Sequence, residues 1–311
     1  MTDKKKFIIG SRGSKLSLAY SNYVKSLLAK SNPELKDKSI DIKIIKTSGD
    51  IFQNKKIADI GGKGVFCKQI EEELLESKID LAVHSLKDLP TKMTEGLCVN
   101  AVVKRNDPRD AFISFSNESF MNLKPLAKVG TSSFRREAQL NLLRNDIKVI
   151  GMRGNIDTRI RKLKNKEFDA IVLSLAGIKM LNLESEVKEI FSIEDMLPAI
   201  GQGAIALQCK KNDQKTLDIL KKINHNETYY CVQAERALLE AIDGDCDTAI
   251  GGLAELSNEK IILKSELFSN DGKKKFSAKS SGHFKDAKKI GYKVGKELLK
   301  KAGTDFTKQG N

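Results

Sequence analysis

Short apolar runs alternate along this chain with segments whose apolar positions recur every three or four residues. Phe7–Ile9, Ile40–Ile45, Leu81–Val83, Cys98–Val103, Lys148–Ile150 and Ala170–Leu173 have the length and branched content of strands. Leu16–Ala29, Phe66–Ser77, Phe134–Leu143, Ile156–Lys164, Gln214–Ile223 and Tyr229–Ala241 have the period of helices with one buried face. Alternation of the two kinds predicts an α/β fold with largely parallel sheets.

Two places interrupt the alternation. Asn106-Asp-Pro-Arg109 is a candidate hinge, and Pro198-Ala-Ile-Gly-Gln-Gly203 is a second, followed by the strand Ala204–Cys209. The segment they bound reads as a domain inserted in another. After Asn224 the style changes. Leu253–Leu256, Ile261–Phe268 and Lys275–Lys279 are separated by turn residues and read as antiparallel hairpins, with a last amphipathic helix over Ala287–Lys301. The predicted division is therefore 1–103 with 203–222, then 106–200, then a small α+β domain at 225–311.

Composition narrows the partners. The 311 residues carry a net charge of +14, which favours anionic ligands. Much of the excess is lysine in runs, such as Lys273-Lys274-Lys275, that read as solvated surface. Trp is absent and aromatics make up 6%, so stacking platforms for single strands are few; with no helix-turn-helix or zinc pattern, nucleic acid is not expected. The five cysteines are widely spaced and there are only three histidines, so no metal site is expected. The start lacks a secretory apolar core and no run has the length of a membrane span, so a reducing cytoplasm is the expectation.

The chemistry concentrates at helix starts. In Val129-Gly-Thr-Ser-Ser-Phe-Arg-Arg136 an apolar segment enters a small-residue turn and a helical pattern leaves it. Such turns present unpaired N–H groups to anions. Arg135 and Arg136 fall in the first turn, where the helix dipole disfavours cations unless a negative group compensates. Gly10-Ser-Arg-Gly-Ser-Lys15 repeats the arrangement with Arg12 and Ser14, and Gly151-Met-Arg-Gly-Asn155 repeats it with Arg153, the N-cap Asn155 and Arg159. Arginine suits bidentate recognition of carboxylate or phosphate, so a polyanion cleft is expected. Gly61-Gly-Lys-Gly64 lacks the Ser or Thr of a phosphate-binding loop and reads as a lid; Gly201-Gln-Gly203 precedes a strand and is no dinucleotide site.

Two further residues stand out. Asp88, in His84-Ser-Leu-Lys-Asp-Leu-Pro90, follows a strand and would be a lone acid amid positive charge, placed to handle an N–H donor or a cationic intermediate. His84 could be the acid–base group instead, but its apolar strand favours a packed histidine. Cys246, in Asp243-Gly-Asp-Cys-Asp247, has carboxylate neighbours that raise a thiol pKa, which disfavours a thiolate nucleophile. The same loop fails as a calcium site, because Ala254 stands where Glu is needed. A thiol making one permanent covalent bond stays open.

Taken in order, these motifs, with Asp107-Pro-Arg-Asp-Ala111 and Leu197-Pro-Ala-Ile-Gly-Gln-Gly203, resemble the porphobilinogen deaminase (hydroxymethylbilane synthase) family. The resemblance implies two lobes like those of type II periplasmic binding proteins plus a small C-terminal domain. It implies a transferase of haem biosynthesis that deaminates porphobilinogen and joins four units into hydroxymethylbilane. The growing polypyrrole chain is built on a dipyrromethane cofactor, whose thioether cysteine matches Cys246. Asp88 matches the catalytic aspartate. Lys87, Asp88, Thr131, Ser133, Arg135 and Arg136 match cofactor contacts; Arg12, Ser14, Lys63, Arg153 and Arg159 match substrate or chain contacts. A cytoplasmic monomer is implied. Two positions depart: Met180 follows Lys179 where Arg is usual, and Ala249 replaces the proline after the cofactor cysteine.

Overall fold

The computed structural model describes residues 6–35, 39–51, 64, 67–245 and 247–306. Lys63 and Cys246 lie outside them, as do most of the Gly61–Gly64 segment and Phe66. In chain order the strands and helices are β1 (Phe7–Ser11), α1 (Lys15–Ser31), β2 (Ile40–Ile44), α2 (Ser48–Ile51), α3 (Lys68–Leu75), β3 (Leu81–Ser85), β4 (Leu97–Val102) and β5 (Asp110–Ser114). Then come β6 (Lys128–Gly130), α4 (Phe134–Leu143), β7 (Lys148–Ile150), α5 (Ile156–Lys164), β8 (Ala170–Ser174), α6 (Leu175–Met180), β9 (Glu189–Ile190) and β10 (Ile205–Lys210). The remainder is α7 (Gln214–Lys221), α8 (Asn226–Ala241), β11 (Ile250–Ser257), β12 (Lys260–Phe268), β13 (Lys275–His283) and α9 (Ala287–Ala302).

Contacts divide the chain into two compact units, Met1–Arg105 with Ala204–Tyr229, and Asn106–Gly203 with Tyr230–Asn311. The first holds a sheet in the order β2-β1-β3-β10-β4; the second holds β7-β6-β8-β5-β9 and a separate β11-β12-β13. Each five-stranded sheet is parallel except for its fourth strand. β10 runs against β3 and β4, and β5 runs against β8 and β9. Both exceptions lie beside a crossing between units, so the two sheets repeat one plan: second, first, third, crossing strand, fourth. The α/β architecture with a separate C-terminal sheet is the one expected.

Helices α4 and α5 have the spans their periodicity predicts. β5, α6 and β9 lie outside every predicted element. β5 is buried along almost its whole length, so it shows no alternation to read. Its residues nevertheless divide between two cores. Phe112 joins Phe120, Val129, Leu140 and Val172 on one face, while Ala111 and Ile113 join Ile160, Ile171 and Leu173 on the other. Phe112, Phe120 and Phe191 meet edge to face with centroids 5.4–5.9 Å apart.

In the third sheet the strands pair antiparallel, as the turn residues predict. Its core includes Leu238 of α8, Ile242 just after that helix, Ile261 and Leu263 of β12, and Ile290, Val294 and Leu298 of α9. Glycine lets the two helices approach. A Cβ on Gly291 would lie 2.2 Å from the Ala234 carbonyl oxygen and 2.7 Å from the Ala237 Cβ. Backbone cannot yield as a side-chain tip can. Gly291→Ala should therefore lower stability by ~1–3 kcal/mol despite alanine's better helix propensity. Urea denaturation checks this; an unchanged or raised midpoint would contradict the packing account.

Candidate active site

In the first unit, β1 and β3 are parallel neighbours, so the turns after them emerge at the same sheet edge. One turn carries Arg12 and Ser14, the other Lys87 and Asp88. Ser14 caps α1: its Oγ accepts from Ser17 N at 3.2 Å. A short 3-10 turn, Leu86–Asp88, is anchored by Leu86 N donating to the Ala204 carbonyl at 2.9 Å and leaves Asp88 exposed. Tyr20 of α1 is a neighbour the sequence did not single out. Its phenol is pushed up to about 12, first by burial and then by the Asp88 charge, against a hydrogen bond with Ser85.

His84 is the packed histidine the pattern predicts. It is buried, and its Nε2 lies 3.0 Å from Gln208 Oε1. Gln208 Nε2 donates to Glu71 Oε1 at 2.7 Å, and Thr94 Oγ1 donates to Glu71 Oε2 at 2.7 Å. Burial lowers the imidazole to about 4, opposed by the Gln208 bond and aided by the Arg12 charge. The ring is thus neutral at neutral pH. Of the two candidates, Asp88 is the exposed one.

In the second unit, β6 and β7 are likewise parallel neighbours whose following turns share an edge. Thr131 Oγ1 accepts from Ser133 N at 3.2 Å, and Ser133 Oγ caps α4 by accepting from Arg136 N at 3.4 Å. Asn155 occupies the N-cap of α5, but its side chain makes no capping bond. The turn is held instead by Arg159, whose Nε donates to the Gly154 carbonyl at 2.7 Å.

Arg135 and Arg136 are neither solvated nor held by a ligand alone. They are 3% and 6% exposed and converge on Asp110, which is fully buried at the start of β5. Because β5 is reversed, its first residue pairs with Ser174, the last of β8, at the edge where the turns emerge. Arg135 Nη1 donates to Asp110 Oδ2 at 2.8 Å; Arg136 Nε and Nη2 donate to Oδ1 at 3.1 and 2.7 Å. Gln202 Nε2 adds a bond to Oδ1 at 2.9 Å. The remaining arginine bonds go to carbonyls, Arg135 to Leu197 and Arg136 to Val172, each at 2.9 Å. Burial opposes ionisation of Asp110, but the two arginines outweigh it and hold the carboxyl well below the usual range. Asp110 supplies the compensation that the first-turn arginines require. The sequence motif contained it without revealing its partners.

One carboxylate cannot neutralise two guanidinium groups. A positive charge is left over in a buried place, and Arg135 Nε is buried with no hydrogen-bond partner. A carboxylate-bearing pyrrole fits that surplus. Arg153 extends the positive region: it offsets the rise in the Asp247 carboxyl, which burial and Asp245 drive upward. Asp247 follows Cys246 in the chain. Lys179 does not stand in freely for the arginine missing at Met180. Its Nζ lies 3.4 Å from Asp107 Oδ2, and Asp107, bound chiefly by Arg109, is held down at about 2.

The comparisons with known proteins agree over nearly the whole chain. Residues 7–218 match the family described as "Porphobilinogen deaminase, dipyromethane cofactor binding domain", and residues 229–300 match "Porphobilinogen deaminase, C-terminal domain". The chain is 42% identical to the porphobilinogen deaminase of Syntrophomonas wolfei, over 95% of each chain. It is 45% identical to that of Ehrlichia chaffeensis, over 94% of this chain and 96% of the relative. Among solved structures, a putative methionine-binding lipoprotein of Bacillus subtilis is similar at a TM-score of 0.43 and 14% identity, covering 71% of this chain and 91% of that one. That likeness adds nothing to the strand order. The chain belongs to the porphobilinogen deaminase family.

Proposed function

We propose that this chain deaminates porphobilinogen and condenses four units head to tail into hydroxymethylbilane, releasing ammonia, on a dipyrromethane held by a Cys246 thioether. The observation that carries this reading is the surplus of two buried guanidinium groups, Arg135 and Arg136, over the single Asp110 carboxylate, with Arg153 in the same unit. A ligand with several carboxylates satisfies it; a single phosphate does not need so many separated cations. When bound, the dipyrromethane supplies the pyrrole carbon to which each new unit is joined.

The protein's residues divide the work. Arg135 and Arg136 receive cofactor carboxylates, with Thr131 and Ser133 fixing the start of α4 and Lys87 as a further cation. Arg12, Ser14, Lys63, Arg153 and Arg159 receive acetate and propionate groups of substrate and growing chain. Asp88 accepts pyrrole N–H bonds and stabilises the positive charge that develops as ammonia leaves. His84, being neutral and packed, takes no part in proton transfer. The family's three-part division, at 1–103 with 203–222, 106–200 and 225–311, would place Cys246 on the third domain. We expect a cytoplasmic monomer that binds no nucleic acid. Among the described residues no helix is long and apolar enough to cross a membrane.

Three outcomes test this reading. The denatured wild-type protein should be heavier than its sequence by a covalent dipyrrole, and Cys246→Ser should lack that increment by intact-mass spectrometry; an active protein of unmodified mass would refute the attachment. Asp88→Ala should abolish ammonia release, by at least 10²-fold, while its circular dichroism stays native. Retained turnover would remove Asp88 from the mechanism, and stoichiometric binding without ammonia release by the wild type would reduce the protein to a binder.

The third concerns Asp110. Asp110→Asn leaves two buried cations unpaired and should cost ~3–5 kcal/mol in urea denaturation. Because the folded-state pKa lies below the unfolded value of about 3.9, the wild-type contribution is complete above that pH, declines below it and is lost as pH falls through the folded-state value. The variant should lack this acid-dependent loss. Equal stability of the two proteins at pH 7 would contradict the assignment.

A further inference from the structure

Cys98 and Cys209 lie directly opposite each other on β4 and β10, adjacent antiparallel strands of the first unit. Neither belongs to the proposed reaction. Lys211 N donates to the Gly96 carbonyl at 2.9 Å, two residues further along each strand. The cysteines therefore fall on a hydrogen-bonded step of the ladder, where Cα atoms are ~5.5 Å apart and both side chains leave the same face. A disulfide spans Cα separations of ~4.4–6.8 Å, so the backbone is already at bonding distance.

The two thiols also differ in the way a reactive pair requires. Each shifts the other's titration across the strand pair. Cys98 is partly exposed, whereas Cys209 is fully buried. The interaction with Cys209 lowers the Cys98 thiol to about 7 against the cost of burial, and the Lys211 charge helps. The same interaction, burial and the Cys98 charge raise the Cys209 thiol, with Asp213 adding to the rise. Cys98 is thus the accessible thiolate and Cys209 the protected thiol behind it. Among the described residues no third His, Cys, Asp or Glu joins them into a metal-binding group.

We propose that Cys98 and Cys209 are a redox-active pair that closes to a cross-strand disulfide on reaction with a small-molecule disulfide such as glutathione disulfide. The Cys98 thiolate attacks one sulfur of the disulfide, whose S–S bond breaks and releases one glutathione thiolate. Cys209 gives up its proton to that thiolate and attacks the Cys98 sulfur. The mixed disulfide breaks and the second glutathione leaves as thiolate. Two protein thiols are oxidised, and one glutathione disulfide is reduced to two thiols. The new bond joins the strand by which the chain leaves the first unit to the strand by which it returns.

The test uses the full-length native protein and glutathione disulfide at neutral pH. Samples are acid-quenched, alkylated, digested without reductant and mapped by mass spectrometry. Glutathione should appear first on Cys98 and then give way to a Cys98–Cys209 link, which dithiothreitol reverses. Cys209→Ala should trap glutathione on Cys98, and Cys98→Ala should leave Cys209 unmodified over the same interval. Initial modification at Cys209, a mixed disulfide on wild-type Cys98 that never resolves, or a link formed only in denaturant would each overturn the proposal. If either variant loses its native circular dichroism, the wild-type time course decides.

Discussion

A single carboxylate organises the second unit. Asp110 accepts bonds from Arg135, Arg136 and Gln202, and so ties the start of β5 to the first turn of α4 and to the Leu197–Gly203 segment. Charges this deep survive only when paired, and here every buried donor but Arg135 Nε finds an acceptor. The pairing is deliberately incomplete in charge: two guanidinium groups face one carboxylate. An apolar replacement would pack as well but would carry no surplus for an anionic ligand. The hub therefore stabilises the fold by less than its bond count suggests and leaves a net positive charge.

Topology explains why the hub is where it is. Parallel strands deliver β1, β3, β6 and β7 to turns at their carboxyl ends, each within its own sheet. A parallel β5 would place Asp110 at the opposite edge, away from α4. Reversal of that strand brings its first residue level with Ser174. The crossing strand thus does two things in each sheet: it carries the chain between units, and it presents its first residues at the edge where those turns emerge. In the first unit the equivalent is Ala204, just ahead of β10, whose carbonyl holds the turn that displays Asp88.

Periodicity and turn chemistry made most elements legible, because an amphipathic helix such as α4 or α5 writes its buried face into the sequence. Strand direction was not legible, since side-chain alternation is the same either way. β5 was missed because it is buried on both faces, and β9 because two residues carry no pattern. For the site, small residues with arginine at helix starts pointed to anions, and Asp88 stood out as an acid among cations. The partners of Arg135 and Arg136 did not. Asp110 is 25 residues from one and 26 from the other, a separation at which only the fold decides contact. Tyr20 went unnoticed for the same reason.

The Leu197–Gly203 segment shows how the hub and the C-terminal sheet are coupled. Arg135 and Gln139 donate to the Leu197 carbonyl, at 2.9 and 3.2 Å, while Gly252 N donates to the Pro198 carbonyl at 2.8 Å. The buried Glu235 carboxylate accepts from Gly201 N at 2.7 Å and from Ala254 N at 2.9 Å. Bonds of this charged kind are worth ~1.5–3 kcal/mol each, so the segment is fixed from both sides. That bears on Ala249, which lacks the φ restriction of proline. The loop has other restraints: Thr248 Oγ1 accepts from Asp245 N at 2.9 Å, Asp247 N donates to Asp245 Oδ1 at 3.1 Å, and Phe268 N donates to the Ala249 carbonyl at 3.0 Å. These bonds hold locally what the ring would have held covalently. The departure at Ala249 therefore costs unfolded-state entropy more than it costs loop geometry.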